Sequence, residues 1–244
     1  MKILITGASS GIGRELAKQL VKDGHAVWGV ARRENLLNDL KKELGDLFFY
    51  TAGDVSMENQ VLAAYQEMKR VGFLPEIIIL AAGAFLKDIG PELKLNYEIF
   101  KKTVDINLYG ALNFIDVFLP RFLQKHSGQF IAISSTTALK PSLRGIGYPA
   151  SKAAIGIAFR GLALAYRKQN VNFSTIYLGP VATKIWDAKK SFVVSDKEKI
   201  ASIIIKKVMK TKKSVYYIPF RSTFMSRLSI LPDRWYIALT ELFR

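Results

Sequence analysis

Tyr148 and Lys152 stand four residues apart in the run Tyr148-Pro149-Ala150-Ser151-Lys152. On a helix that spacing puts a phenol and an ammonium on one face. Ser135 comes 13 residues before Tyr148 and follows an apolar run that reads as a strand. Side chains at the C-terminal ends of parallel strands meet over the crevice where cofactors bind. These three suit carbonyl reduction or alcohol oxidation. Hydride arriving at a carbonyl carbon leaves the oxygen in need of a proton. A free tyrosine has a pKa of about 10, and a neighbouring ammonium is expected to lower it by stabilising phenolate. Lys152 is placed to do this and to hold a nicotinamide ribose. Ser135 is placed to hydrogen-bond the substrate oxygen.

A second constellation lies at the other end of the sequence. Gly7, Ser9, Ser10, Gly11, Ile12 and Gly13 fall in the stretch Thr6-Gly7-Ala8-Ser9-Ser10-Gly11-Ile12-Gly13. It follows an apolar run and opens a helical pattern. A pyrophosphate needs backbone N–H groups at a helix N-terminus with no side chains in the way. Gly7 allows a tight turn, Gly11 a close phosphate, and Gly13 close packing of helix on strand. An NAD site would carry an acid about 20 residues further on, at the end of the second strand. Here that strand ends Val30-Ala31-Arg32-Arg33. Two guanidiniums suit a ribose 2′-phosphate, which predicts NADP over NAD.

The elements that must position these groups are legible from periodicity. Apolar runs predict strands over Lys2–Thr6, Ala26–Ala31, Leu47–Thr51, Glu76–Leu80, Phe130–Ser134, Val171–Tyr177 and Ser214–Ile218. Helical spacing predicts helices over 11–23, 35–44, 57–71, 96–124, 148–167 and 196–210. Apolar strands alternating with helices indicate a parallel sheet covered on both faces. The expectation is a three-layer, doubly wound α/β fold of the Rossmann type, as a single domain over 1–221. Residues 222–244 read as a short helical tail packed on the domain or on a partner.

The chain's 244 residues can bury a large core unaided. There is no cysteine, and the two histidines lie far apart in sequence, so no metal site is expected. No apolar window of about 20 residues exists, and the N-terminal run is too short for a signal peptide. A cytoplasmic protein is expected. The formal charge is +16, and residues 184–213 hold ten lysines against three acids. No nucleic-acid-binding module accompanies them. They form either a solvated face or a contact for an anionic membrane surface or an acidic carrier.

Taken together, these motifs resemble the short-chain dehydrogenase/reductase family along nearly the whole chain. The matching pieces include Asp54-Val55, Asn107 in Asp105-Ile106-Asn107-Leu108-Tyr109-Gly110, Ser134-Ser135, and Gly179-Pro180-Val181-Ala182-Thr183. The resemblance implies a catalytic set of Asn107, Ser135, Tyr148 and Lys152. It also implies that Asp54 and Val55 contact adenine and that Asn107 holds a water for a Lys152-linked proton relay. Val181 and Thr183 would position the nicotinamide carboxamide, beside Gly179 and Pro180. The family's usual Asn-Ala-Gly stands here as Ala81-Ala82-Gly83, with Ala82 and Gly83 at the cofactor. Its usual Pro-Gly stands as Leu178-Gly179-Pro180.

The implied activity is NADP(H)-dependent interconversion of a carbonyl and a secondary alcohol. A non-catalytic NADP-binding regulator and a membrane-peripheral reductase of lipid-like or 3-oxoacyl substrates are the other classes considered. Phe85, Leu86, Leu139, Trp186 and residues 184–196 are expected to line an apolar substrate pocket. The stretches Val104–Phe118 and Ala150–Ala165 are apolar nearly all round, which calls for cover on every side. A homodimer or homotetramer is expected to supply that cover, with Phe118 an outward position.

Overall fold

The computed structural model describes residues 1–90, 92–140, 145–182, 194–219 and 231–235. Seven strands form one parallel sheet: β1 (Lys2–Thr6), β2 (Ala26–Ala31), β3 (Phe48–Ala52), β4 (Ile77–Leu80), β5 (Gly128–Ser135), β6 (Val171–Leu178) and β7 (Val215–Ile218). Their order is β3-β2-β1-β4-β5-β6-β7. The chain starts in the middle, runs out to one edge, and returns to build the other half from β4. The reversal between β1 and β4 opens a crevice at the C-terminal ends of the strands, the usual ligand position in such sheets.

Helices cover both faces. On one side α1 (Gly11–Lys22), α2 (Glu34–Leu44) and α7 (Lys197–Ile203) close over a core holding Ile3, Ile5, Leu16, Leu37, Ile79 and Ile131. On the other, α3 (Glu58–Arg70), α5 (Gly110–Gln124) and α6 (Gly147–Ala165) bury Leu4, Ile78, Phe114, Phe118, Phe130 and Phe159. Alternate residues of β1 and β4 enter opposite cores. This is why the strands read as unbroken apolar runs rather than as alternations. The short α4 (Tyr97–Val104) meets α5 through a π turn at Asp105–Tyr109, and α7 meets α8 (Met209–Thr211) through another at Ile204–Val208. The two long helices expected from periodicity are therefore each interrupted.

The lysines of the basic segment that fall in described residues flank or sit on α7 and α8. Lys199, Lys206, Lys207, Lys210, Lys212 and Lys213 are exposed, while Ile200, Ala201, Ile204, Val208 and Met209 are buried. Lys184, Lys189, Lys190, Trp186 and nearly all of the 222–244 tail lie outside the described residues. No helix among the described residues is long and apolar enough to cross a membrane.

One expectation is corrected. Phe118 does not face outward. It is fully buried, with its ring edge-on to Tyr65 of α3 at 5.0 Å and stacked with Phe114 at 6.3 Å. The apolar character of α5 is satisfied within the chain, because α3 covers the side that the sheet does not. On α6 the outcome differs: Ile157 and Leu164 are 63% and 66% exposed. Phe118→Ala should therefore act on stability, lowering the unfolding free energy by about 3–5 kcal/mol in urea titrations. A loss below about 1 kcal/mol would contradict this packing.

Candidate active site

The crevice begins at the turn from β1 to α1. Gly7 has φ +71°, and a Cβ there would lie 2.8 Å from Ala82 Cα. A Cβ on Gly13 would stand 2.4 Å from the Gly7 carbonyl oxygen. Glycine at these positions lets the turn, the first helix turn and the end of β4 come together. Helix α1 starts without a side-chain cap and without an acid in its first turn. Its leading N–H groups and its positive dipole end are thus available to an anion in the cleft that Gly11, Ile12 and Gly13 line.

The two arginines separate in space. The Arg33 guanidinium reaches back to the loop and donates to Ser9 Oγ at 3.0 Å and Ser10 Oγ at 2.7 Å. Arg32 lies 3.7 Å from the Asp54 carboxylate, with its side chain 57% exposed. Asp54 also accepts from the Ser56 N–H and hydroxyl, and the Val55 carbonyl accepts from Asn113 Nδ2 at 3.0 Å. All four residues line the cleft. The donor set fits a dinucleotide: a narrow glycine-walled anion cradle, an uncapped helix start, and two guanidiniums where β2 ends.

At the far side, β5 delivers Ser135 and α6 delivers Tyr148 and Lys152, all but buried. Ser135 Oγ accepts from the Thr137 N–H at 3.2 Å and from the Thr137 hydroxyl at 2.9 Å. Its hydroxyl also acts on the Tyr148 phenol, in the direction that favours the phenolate. Lys152 Nζ donates to the Ile133 carbonyl at 2.8 Å, and the Ser134 hydroxyl donates to the Lys152 carbonyl at 2.7 Å. Helix and strand are thereby tied at both ends of the lysine.

Burial dominates the protonation of this pair. It pushes the Tyr148 phenol up to about 12, against a smaller lowering by the Ser135 bond. It pulls the Lys152 ammonium down to about 8. The expected lowering of the tyrosine by its neighbour is not seen. Lys152 Nζ sits 5.7 Å from the Tyr148 ring centre and is bonded to Ile133 instead. Desolvation of the phenolate is the larger effect.

Most residues singled out from the sequence converge. Gly7, Ser9, Ser10, Ala82, Gly83, Gly179 and Val181 share one cleft with Ser135, Tyr148 and Lys152. Asn107 lies behind the wall, 2% exposed. Its amide donates to the Ala84 carbonyl and Ser151 Oγ, both at 3.0 Å, and accepts from the Ala84 N–H at 2.8 Å. Both amide hydrogens are thus used, while Oδ1 keeps a lone pair on the side where a Cβ on Gly83 would meet it and Lys152 Nζ alike, each at 3.3 Å. Pro180 is set back from the lining, its carbonyl accepting from the Ser195 N–H at 2.9 Å. Phe85 meets Tyr148 edge-on at 5.4 Å. Thr183 lies outside the described residues. Ser151 and Thr137 are not among the candidate residues read from the sequence, and Ser134 enters there only through the Ser134-Ser135 pair. Their only signal in the sequence is that each is a hydroxyl within two residues of Ser135, Tyr148 or Lys152.

The chain is similar to known proteins in sequence and in fold. Residues 1–193 match the family described as short chain dehydrogenase. A fatty acyl-CoA reductase of Acinetobacter baylyi is 28% identical over 244 residues, covering 94% of this chain and 80% of that one. An uncharacterized oxidoreductase of Listeria monocytogenes is 31% identical over 184 residues, covering 74% of this chain and 73% of its own. Among solved structures, the closed form of serine dehydrogenase complexed with NADP+ has a TM-score of 0.82 at 22% identity, over 89% of this chain and 94% of that chain. A 3-oxoacyl-[acyl-carrier protein] reductase from Brucella melitensis has a TM-score of 0.77 at 22% identity, over 88% of each chain. These two share the fold. With the sequence match over residues 1–193, the chain belongs to the short-chain dehydrogenase family, oxidoreductases that bind NAD(P).

Proposed function

We propose that this protein is an NADP(H)-dependent oxidoreductase interconverting an apolar carbonyl and a secondary alcohol, with Tyr148 as general acid and base. The observation that carries the reading is the buried Ser135–Tyr148–Lys152 group at the mouth of the glycine-walled cleft. The dinucleotide, when bound, would supply or take up the hydride. Gly7 through Gly13 would hold its pyrophosphate and Arg33 and Arg32 its 2′-phosphate. Asp54 and Val55 would lie at the adenine, Ala82 and Gly83 beside the ribose, and Gly179, Pro180, Val181 and Thr183 beside the nicotinamide.

Chemistry then falls to the chain's own residues. In reduction, Tyr148 Oη gives its proton to the carbonyl oxygen as that oxygen gains negative charge. A phenol pushed up to about 12 is fully protonated at neutral pH, so the donor form is always present. Ser135 donates to the same oxygen and stabilises its developing charge, with Thr137 fixing the hydroxyl. Lys152 places a positive charge behind the phenol and would bond the nicotinamide ribose. Asn107 holds Ala84 and Ser151 in register with this group. Phe85, against Tyr148, supplies an apolar wall. The resemblance to a fatty acyl-CoA reductase favours an acyl-chain carbonyl.

We also propose a homodimer or homotetramer, since Ile157 and Leu164 of α6 are 63% and 66% exposed and form an apolar strip that no described residue covers. Ile157→Asp should shift the mass seen by light scattering toward the monomer. A wild-type chain that is monomeric at micromolar concentration would refute the assembly.

Cofactor choice is tested by titrating NADPH and NADH by fluorescence. NADPH should bind more tightly, and Arg33→Gln should weaken NADPH by roughly 10- to 100-fold, the worth of a charge-assisted hydrogen bond, while sparing NADH. Equal affinities in the wild type would count against NADP. For the chemistry, Tyr148→Phe should cut reduction by roughly 10²–10⁴-fold with NADPH binding intact. Because burial brings Lys152 down to about 8, its charge is present below that pH and lost above it. The wild-type rate of reduction should therefore be flat below pH about 8 and fall roughly tenfold per unit above it. A rate that climbed through this range would show that the ammonium is not required.

A further inference from the structure

We propose that Asp88 is a positioning residue that sets Tyr148 over the substrate by capping helix α6 from a distant loop, a role that rests on the reaction proposed above. Asp88 lies between β4 and α4 and is completely buried. Its Oδ1 accepts from the Ile146 N–H at 2.9 Å and its Oδ2 from the Gly147 N–H at 2.5 Å. These are the leading N–H groups of α6, and Tyr148 is the next residue along. The helix has no side-chain cap of its own, since Ile146 occupies the N-cap position. A carboxylate from 58 residues away does that work, where two unpaired donors and the positive helix end favour a negative charge.

The surroundings are shaped to admit it. A Cβ on Gly145 would lie 2.8 Å from Asp88 Oδ1, and one on Gly147 would lie 2.9 Å from Oδ2. The loop carrying Asp88 is fixed at two further points. Its main-chain carbonyl accepts from the Asn96 N–H at 2.7 Å, and Asn107 grips Ala84 through both its donor and its acceptor. Between Ala84 and Asp88, Phe85 presses edge-on against the Tyr148 ring. One buried carboxylate therefore joins the wall of the substrate pocket to the helix that presents the proton donor.

The two functional side chains of α6 depend on it unequally. Tyr148 sits in the first turn, beside the capped N–H groups. Lys152 lies one turn deeper and is tied to β5 independently, through Ile133 and Ser134. Loss of the cap should free the first turn, displace the phenol relative to Ser135, and leave Lys152 and the dinucleotide cleft in place.

The test uses the full-length protein with Asp88→Asn, which keeps the shape but turns a donor toward a donor, and Gly147→Ala, which crowds the carboxylate from the helix side. Both should lower kcat by roughly 10- to 100-fold, the scale of a misplaced reacting group. KM for a medium-chain ketone or 3-oxoacyl thioester and NADPH affinity by fluorescence should stay unchanged. Amide exchange should quicken over residues 145–149 and hold over 152–160. In an Asp88→Ala background, Gly147→Ala should lose the part of its effect that runs through the carboxylate and keep only that of crowding Phe100, which its Cβ would meet at 3.2 Å. Full kcat despite faster exchange, unchanged exchange at 145–149, or an equal loss of NADPH binding would each overturn the proposal. A wild-type chain that reduces none of these substrates would count against the reaction itself, and the exchange measurement would then decide the cap on its own.

Discussion

Removing a lysine ammonium from water costs solvation free energy, and Lys152 is 5% exposed. The Ile133 carbonyl answers that demand at 2.8 Å, and Ile133 lies just past the last β4–β5 pair, Leu80 with Ala132. Much of the site follows from this placement. Helix α6 must lie against the end of β5, so Tyr148, one turn earlier, comes over Ser135. Ser134 fixes the lysine's own carbonyl. Ser151, on the side of the helix next to Lys152, receives Asn107. Asn107 in turn stands in a π turn, a local widening of the helix that is frequent at functional sites.

The same burial sets the resting protonation of the pair. A phenol held near 12 gives up its proton only to an oxygen that is becoming an anion. An ammonium held near 8 keeps its charge under neutral conditions and loses it in mild alkali. At neutral pH the pair therefore rests as neutral phenol and ammonium. At the other end of the cleft the electrostatics are simpler. An uncapped helix start and Arg33, held by two serine hydroxyls, leave an unbalanced positive charge that an anionic group would complete.

How much of this could be read beforehand depends on the range of the interaction. Strands β1 and β2 match their expected limits residue for residue, because both faces are buried and their composition is uniform. Strand β5 runs longer than expected, starting at Gly128. Gln129 disguises that end by being polar and yet 2% exposed. The π turns at 105–109 and 204–208 are invisible to a helical periodicity that tolerates one residue of slip. Phe118 was misplaced because periodicity says that a face is apolar, not which neighbour covers it, and α3 lies some fifty residues away. The Gly-rich turn, Ser135, Tyr148 and Lys152 were legible because their spacing is local and their chemistry specific. The Tyr148 shift was not, since desolvation depends on the whole surround. Asp88, whose partners are 58 residues distant, left no mark in the sequence at all.

The central claim is that this cleft moves hydride from a dinucleotide to a carbonyl carbon while Tyr148 protonates the oxygen. Its most direct test is isotopic. The wild-type protein would be incubated with NADPH deuterated at the transferring C4 position and an apolar ketone or 3-oxoacyl thioester, and the product analysed by mass spectrometry. The account predicts a secondary alcohol with deuterium on the carbinol carbon and an oxygen-bound proton that exchanges with solvent. An alcohol lacking the label, or NADPH bound tightly with no alcohol formed from any carbonyl offered, would contradict it.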